Sequence, residues 1–377
     1  MFFVGLDVHQ KRSSFCILDQ NGKKVKEFDV LGGWDILIEE IARVPRPFAI
    51  CFEASTGCGW LFDRIAPLAG RIEVAHPGQV RLIFRAKKKN DRIDARKLAT
   101  LLFLNQVPKA YIPDAQVRAW RGLVEFRHAT IVKRTQVKNN IRTLLKGCGI
   151  QKIAAPAKTA ENPQTPRKGS ACASGQRGLW AKKGLAVLRE LELPTLEDRL
   201  RRDMLLEQLD QFNGQVKRIE KELDKIAADH AGVSLLRTIP GVGARTAEAV
   251  LAYVDKPHRF ERNKQIGAYF GLVPCQDASA DVNRLGHITR QGPSTVRGLM
   301  VEAAWQAKLR SPTIKAFYEQ VQQGKKERGK IALVATAHHL LRVMLSMLKS
   351  GEVWHEEGEI QKAPPVEASV QTALAVA

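Results

Sequence analysis

The chain has 377 residues, of which 44% are hydrophobic and 26% charged, values that exclude disorder throughout and predict two to three domains. No apolar run reaches the roughly 18 residues of a membrane helix, the first residues lack the basic start of a signal peptide, and the six cysteines form no CxxC pair. Lysine and arginine number 60 against 39 aspartates and glutamates, a net charge of +21, so we expect a cytoplasmic protein with a nucleic-acid partner.

Residues 1–112 predict an α/β domain. Three short strands, FFVGLDV, SSFCILD and KVKEFDV, are joined by turns, the second being Asp19-Gln20-Asn21-Gly22. Helical and strand patterns then alternate, with helices at 34–44, 60–69 and 91–104 and strands at 48–53 and 71–77. Three strands followed by this alternation predict a mixed sheet.

Residues 113–150 predict a basic helical extension. Within a helix at 115–147, four cations recur at spacings of seven, four and four residues, which places them on one face: Arg127, Arg134, Lys138 and Arg142. Because Glu125 is the one acid of that stretch, we interpret this face as one that tracks phosphates. A solvated basic face is the alternative.

The remaining segments differ sharply in composition. Residues 151–180 are rich in Ala, Pro, Lys, Ser and Gly and predict a flexible linker. Residues 181–230 predict a coiled-coil region that serves either an intramolecular hairpin or self-association, because two apolar series recur every seven residues. These series are Leu209, Val216, Leu223 and Phe212, Ile219, Ile226. Residues 231–355 predict a mostly helical domain, and residues 356–377 a disordered tail.

Four carboxylates in the first domain predict a metal site. Asp7 and Glu53 each end a strand, and Asp91 and Asp94, three residues apart, share one face of a helix. An acid among apolar strand residues is costly to bury unless it is paired or binds a cation. Such acids suit Mg²⁺, as in the two-metal sites that displace phosphate esters. Taken singly, each acid also has an ordinary structural role. Asp7 would be a strand-end acid, Glu53 a helix cap, and Asp91 and Asp94 an acid pair favoured at a helix N-terminus.

Residues 235–252 contain Pro-Gly-Val-Gly followed by a helix, which is typical of a helix-hairpin-helix motif. Gly241 and Gly243 would let backbone N–H groups approach a phosphate at the start of the helix. A plain tight turn between two helices gives the same pattern.

A polar loop is predicted within residues 269–298, and it carries Ser279. An attacking serine must lose its proton, and neighbouring cations neutralise the charge that develops on the phosphoryl oxygens. Four candidates for that role follow the serine: Arg284, His287, Arg290 and Arg297. The alternatives are a serine that only forms a turn, and Cys275 as a rival nucleophile.

Taken in this order, the motifs resemble one family closely, the insertion-sequence transposases of the IS-one-ten family. Its members combine a RuvC-like acidic domain with a serine-bearing C-terminal domain. The resemblance covers roughly residues 1–350 and rests on GLDVHQK, FEAST, KNDRIDARKLA, IPGVG, AYFGLVP and RLGHITRQG.

The resemblance implies an RNase H/RuvC-like first domain, a coiled-coil connector and a mostly α C-terminal domain with a helix-hairpin-helix. It implies that Ser279 is the nucleophile, although Ala280 stands where the family usually has glycine. It also implies a DEDD metal-binding set of Asp7, Glu53, Asp91 and Asp94.

The function implied is that of a DNA transposase (recombinase) of a mobile insertion sequence. It would cut and rejoin donor and target DNA through a phosphoserine intermediate, with Mg²⁺ as cofactor and an element-encoded guide (bridge) RNA as partner. We expect a homodimer or homotetramer without a membrane partner, associated with the nucleoid of a bacterial or archaeal cell.

Two other functions fit parts of the pattern. A RuvC-like metal-dependent nuclease or junction resolvase would use the acids and water, leaving free 5′-phosphate ends and no protein–DNA adduct. A non-catalytic helix-hairpin-helix scaffold would bind nucleic acid alone, with a degenerate acidic domain.

Overall fold

A computed structural model describes residues 1–84, 90–150, 178–279 and 282–356. The chain forms two compact units, residues 1–119 and residues 120–377. The predicted linker at 151–180 lies almost wholly outside the described residues, and so does the predicted tail at 356–377.

A five-stranded mixed sheet forms the centre of the first unit. Its strands are β1 (Phe2–Val8), β2 (Arg12–Leu18), β3 (Lys24–Leu31), β4 (Phe48–Glu53) and β5 (Arg71–Ala75), in the order β3-β2-β1-β4-β5. β1, β2 and β3 run antiparallel, whereas β4 and β5 continue the sheet from β1 in parallel. Between β2 and β3, the Asp19 carboxylate accepts hydrogen bonds from two backbone N–H groups, and Gly22 supplies a φ of 76°. The predicted strands and mixed sheet are confirmed.

Helices cover both faces of this sheet. They are α1 (Trp34–Ala42), α2 (Cys58–Ile65), α3 (Pro77–Ile83) and α4 (Asp91–Phe103). α1 and α2 bury the face that carries Leu6 and Phe52, and α4 buries the opposite face around Cys51. The sequence did not predict α3, because its Pro77-Gly78 start is typical of a turn.

The second unit is mostly helical. Its helices are α5 (Ala115–Gly147, which begins in the last residues of the first unit), α6 (Lys182–Glu190), α7 (Leu196–Ala228), α8 (Ala231–Leu236), α9 (Ala244–Val254), α10 (Gln265–Tyr269), α11 (Ser294–Ala307), α12 (Pro312–Gln322) and α13 (Gly329–Ser350). Val250 of α9, Met300 of α11 and Leu341 of α13 are fully buried together in its core.

α5 and α7 pack against each other in opposite directions. Val124 near the start of α5 shares a buried cluster with Leu223 near the end of α7, whereas Ile141 shares one with Leu206. The apolar series of α7 is thus turned toward a helix of the same chain. This is the packing that an intramolecular hairpin requires.

A β-hairpin follows α10, where the sequence predicted a polar loop. Its strands are β6 (Pro274–Ser279) and β7 (Val282–Ile288), paired antiparallel. The prediction of a loop was wrong because both strands are exposed at residues 274–277 and 284–287, so neither carries the apolar alternation that marks a half-buried strand.

One described helical segment, Lys326–Ser350, is long and apolar enough to cross a membrane by length and composition alone. Core helices pass the same test, and Leu340, Leu341 and Met344 of this segment are fully buried in the second unit.

Candidate active site

Two of the predicted acids end adjacent parallel strands. Leu6 of β1 pairs with Phe52 of β4, so Asp7 and Glu53 follow at the same level of the sheet. Neighbouring strands lie about 4.8 Å apart. Because side chains alternate along a strand and Leu6 and Phe52 face α1 and α2, Asp7 and Glu53 belong to the face that α4 covers.

α4 brings the other two predicted acids to this end of the sheet. The helix begins after Asn90, whose side chain accepts a hydrogen bond of 3.0 Å from the backbone N–H of Arg92. Asp91 and Asp94 both lie in its first turn. The helix can lie against β1 because residue 5 is glycine: a Cβ there would stand 2.0 Å from the carbonyl oxygen of Ala95.

Asp7, His9 and Asp91 form a compact group. Their ligand atoms all lie within 4.8 Å of one another, with His9 Nε2 3.5 Å from Asp7 Oδ2 and 3.9 Å from Asp91 Oδ1. The side chains are 18% exposed at Asp7, 41% at Asp91 and 50% at His9, so the group opens to solvent. The sequence analysis missed His9, although its position two residues after Asp7 was a readable signal.

The donor set of this group fits a hard divalent cation. Two carboxylates supply the oxygen atoms that Mg²⁺ and Mn²⁺ prefer, and imidazole is a common ligand of Mn²⁺ and other transition metals. Glu53 stands beside Asp7 in the sheet and adds a third carboxylate to this end of the strands. Asp94 lies three residues further along, in the same first turn, and its carboxylate accepts a hydrogen bond of 2.7 Å from Lys97. The structure therefore gathers Asp7 and Asp91 and places Glu53 and Asp94 at the margin.

Ser279 lies in the second unit, at the end of β6. Its partner in the register is Val282, so the two residues flank the tip of the hairpin. Two positions back, Asp277 pairs with Arg284, and both of these residues are exposed. Cys275, the rival nucleophile, is exposed on the same strand.

The four cations predicted beside Ser279 have different surroundings. Arg284 and His287 are exposed on β7, and Arg290 is exposed after it, with a φ of 56°. Arg297 of α11 instead donates hydrogen bonds to the carbonyl oxygens of Gln291 (2.6 Å), Gly292 (3.0 Å) and Phe270 (3.3 Å). Burial lowers the pKa of Arg297. This guanidinium therefore braces the segment that carries Arg290.

The predicted basic face of α5 makes contacts within the second unit. Arg127 donates two hydrogen bonds to Glu220 of α7, at 2.9 and 2.5 Å, and Arg134 donates one of 3.5 Å to Asn213. Lys138 and Arg142 each lie 5.3 Å from the ring centre of Trp180. These side chains help to hold the helices together, and their nucleic-acid role stays a prediction.

The two glycines of the predicted helix-hairpin-helix motif differ in their surroundings. Gly241 has a φ of 93°, and a Cβ there would stand 2.5 Å from the backbone nitrogen of Ala307, so this glycine lets the turn pack on α11. Gly243 precedes α9, and a Cβ there would meet no described atom within 4 Å. Of the two, Gly243 is the one whose backbone is open to a ligand.

Comparison with known proteins identifies two transposase domains in the chain. The model of DEDD transposases of the IS110 group matches residues 4–150, and the model described as "Transposase IS116/IS110/IS902 family" matches residues 233–319. Together they cover more than half of the chain. A DEDD transposase domain suggests dependence on a divalent metal ion, and the acidic group lies within the first match.

Two curated relatives span most of the chain. The transposase for insertion sequence element IS1111A of Coxiella burnetii is 23% identical over 303 residues, which cover 80% of this chain and 76% of the relative. The transposase for insertion sequence element IS1328 of Yersinia enterocolitica is 26% identical over 273 residues, covering 71% and 73%. The chain therefore belongs to the IS110 (IS-one-ten) family of insertion-sequence transposases, enzymes that cut and rejoin DNA.

Proposed function

We propose that this transposase exchanges DNA strands through a phosphoserine intermediate formed by Ser279, with a Mg²⁺ ion held by the acidic group of the first unit. The observation that carries the proposal is the meeting of Asp7, His9 and Asp91 at the ends of β1 and α4. Within this proposal, residues 1–112 are the metal-binding domain, residues 113–150 the basic extension and residues 231–355 the serine domain.

The architecture of the first unit supports an RNase H/RuvC-like assignment. Its first three strands form an antiparallel meander, and two parallel strands join at β1. The acids lie at the end of the central strand, at the end of its parallel neighbour and at the start of the covering helix. Asp7 and Asp91 would hold the ion, with His9 and Glu53 beside them. A bound Mg²⁺ would neutralise the charge that develops on the phosphoryl oxygens.

The exposed hairpin supports Ser279 as the nucleophile. In the proposed step, its Oγ forms a bond to phosphorus and the bond from phosphorus to a sugar oxygen breaks. The serine gives up its proton, and the departing sugar oxygen takes one up. A sugar hydroxyl of the second strand then attacks phosphorus and releases the serine. Because each step exchanges one phosphoester for another, rejoining requires no ATP.

We propose DNA and an element-encoded bridge RNA as the nucleic-acid partners. The net charge of +21 suits both, and backbone N–H groups after Gly243 would contact phosphate in the manner of a helix-hairpin-helix. Arg284, His287 and Arg290 on and after β7 would contact the DNA near Ser279. The transposase would act as a homodimer or homotetramer in the cytoplasm, on the nucleoid and without a membrane partner.

Denaturing electrophoresis tests the proposal. Labelled DNA carrying the element's ends, incubated with the full chain and Mg²⁺, is expected to yield a covalent protein–DNA adduct. Ser279→Ala should abolish this adduct, whereas Cys275→Ala, a matched change on the same strand, should retain it.

The two alternative functions give other outcomes. A nuclease that uses water would release free 5′-phosphate ends without an adduct, and Ser279→Ala would remain active. A non-catalytic scaffold would bind DNA without cutting it and would take up no Mg²⁺ in a calorimetric titration.

A further inference from the structure

A row of polar residues crosses the sheet at the level of Asp7. In the strand register, Asp7 of β1 pairs with Ser14 of β2, and Ser14 pairs with Asp29 of β3. Residues directly opposite each other in antiparallel strands share a face, so all three belong to the face that α4 covers. Ser14 is buried and donates a hydrogen bond of 2.6 Å to Asp29 Oδ1.

Asp29 joins this row to the first turn of α4. The Arg92 guanidinium donates two hydrogen bonds to Asp29 Oδ2, at 2.9 and 2.6 Å, and Arg12 donates a third of 2.6 Å to the same oxygen. The Asp29 side chain is only 10% exposed. The Arg92 hydrogen bonds above all, then that of Ser14, hold the pKa of Asp29 well below its usual range. The carboxylate is therefore charged at any working pH.

A second pair repeats this contact one turn further along the helix. Arg96 donates to both carboxylate oxygens of Glu27, at 2.7 to 3.2 Å. Four residues of a helix rise about 6 Å, and two residues of a strand advance about 6.6 Å. Arg92 and Arg96 are therefore spaced to meet Asp29 and Glu27 together, which fixes both the position and the rotation of α4 against β3.

Among the described residues, the first turn of α4 has little apolar packing, and the Arg92–Asp29 ion pair links it to β3. The buried side chains of the helix begin at Ala95 and continue through Leu98, Ala99, Leu101 and Leu102. Asp91 therefore precedes the apolar contacts. Its neighbour Arg92 links that turn to β3 through Asp29.

We propose that Asp29 is a positioning residue, which holds Arg92 and thereby keeps Asp91 within reach of Asp7 for binding a divalent cation. This inference rests on the proposed metal site and extends it to a residue that binds no metal itself. Partners that orient metal ligands typically contribute about 10- to 100-fold in metal affinity.

Mn²⁺ binding to the full-length chain, followed by electron paramagnetic resonance, tests this proposal. We expect Asp29→Asn and Arg92→Gln each to weaken Mn²⁺ binding by about 10- to 100-fold. The double variant should bind Mn²⁺ no more weakly than the single variant with the lower affinity, because both changes break the same Asp29–Arg92 contact. Glu40→Gln is the matched control. It removes a carboxylate of α1 that pairs with Arg43, and α1 covers the opposite face of the sheet, so this variant should bind Mn²⁺ like the wild type.

The directions of the two effects separate positioning from simple charge. Asp29→Asn removes a negative charge and Arg92→Gln removes a positive one, so through-space electrostatics alone would weaken binding in the first and tighten it in the second. That pattern, or wild-type affinity in a folded Asp29→Asn variant, would overturn the proposal. Because Arg92 is 52% exposed, its variant keeps the test usable if Asp29→Asn unfolds.

A further variant distinguishes this proposal from the proposed function. If Asp7→Asn leaves Mn²⁺ binding unchanged, or the wild type binds no Mn²⁺, the metal site itself is wrong. If Asp7→Asn abolishes binding and Asp29→Asn does not weaken it, only the positioning role is wrong.

Discussion

Gly5 provides the sharpest structural test of the acidic site, because the contact between α4 and β1 requires its missing side chain. A Cβ at residue 5 would stand 2.0 Å from the Ala95 carbonyl oxygen and 2.3 Å from the Ala99 backbone nitrogen. Both atoms belong to the helix backbone, so neither can turn aside as the end of a flexible side chain could. For the closest approach to reach the 3.4 Å of ordinary contact, α4 would have to withdraw by more than 1 Å.

Gly5→Ala should therefore lower both stability and metal affinity. Overpacking of this kind typically costs about 1–3 kcal/mol, and two backbone overlaps place this case at the upper end. For a domain of this size that cost lowers the unfolding temperature by about 10 °C. The same withdrawal moves Asp91 away from Asp7, so Mn²⁺ affinity should fall. In active sites, a misplacement of about 1 Å can reduce the rate of catalysis about 100-fold.

Differential scanning calorimetry and Mn²⁺ titration of the full chain measure both effects. Gly214→Ala is the matched control, because a Cβ at that position of α7 meets no described atom within 4 Å. Alanine there should leave Mn²⁺ affinity unchanged and stabilise the helix by up to about 1 kcal/mol. A Gly5→Ala protein with the unfolding temperature and Mn²⁺ affinity of the wild type would refute this account of the site.

Three further predictions concern the second unit and the assembly. Burial raises the pKa of Glu248 to about 7 from an ordinary 4.5, so the folded chain retains a proton that the unfolded chain releases; stability should fall as pH rises from about 4.5 to 7, and urea unfolding of Glu248→Gln should lack that part of the slope. Gly241→Ala should lower the unfolding temperature of the second unit because its Cβ overlaps α11, whereas Gly243→Ala should keep that temperature and weaken DNA binding in a filter assay; equal stability losses would contradict the assigned difference. If one subunit can supply Ser279 and another the acidic group, mixing Ser279→Ala with Asp7→Ala chains should restore recombination. A mixture that stays inactive at every ratio would show that the serine and the acids must come from the same subunit.

Much of the first unit was predictable because local and tertiary signals agree there. Strands β1, β2 and β4 carry runs of apolar residues, whereas polar and apolar residues largely alternate in β3 and β5. The Asp19–Gly22 turn is marked by residue type, and α4 begins after a capping Asn90. The acids at the strand ends could be expected to meet for the same reason. α3 escaped prediction because a proline and a glycine at its start suggest a turn.

Contacts between residues far apart in sequence could not be predicted. Arg127 forms an ion pair with Glu220, 93 residues away. The basic face of α5, which the sequence predicts to contact phosphates, therefore also contacts a neighbouring helix. Asp29 meets Arg92 across 63 residues, and nothing local to either marks the pair. The Ser279 hairpin was not predicted because residues 274–277 and 284–287 of its strands are exposed, although backbone pairing forms the two strands.

The most direct test of the central claim is to identify the residue that carries the DNA. The adduct formed with Mg²⁺ would be trimmed with nuclease, digested with protease and mapped by tandem mass spectrometry. The proposed chemistry predicts a nucleotide joined to Ser279 through a phosphodiester bond. This adduct should be lost in both Ser279→Ala and Asp7→Ala. A nucleotide joined through its phosphate to Cys275, or efficient strand exchange by Ser279→Ala without any adduct, would contradict the role of Ser279 as nucleophile.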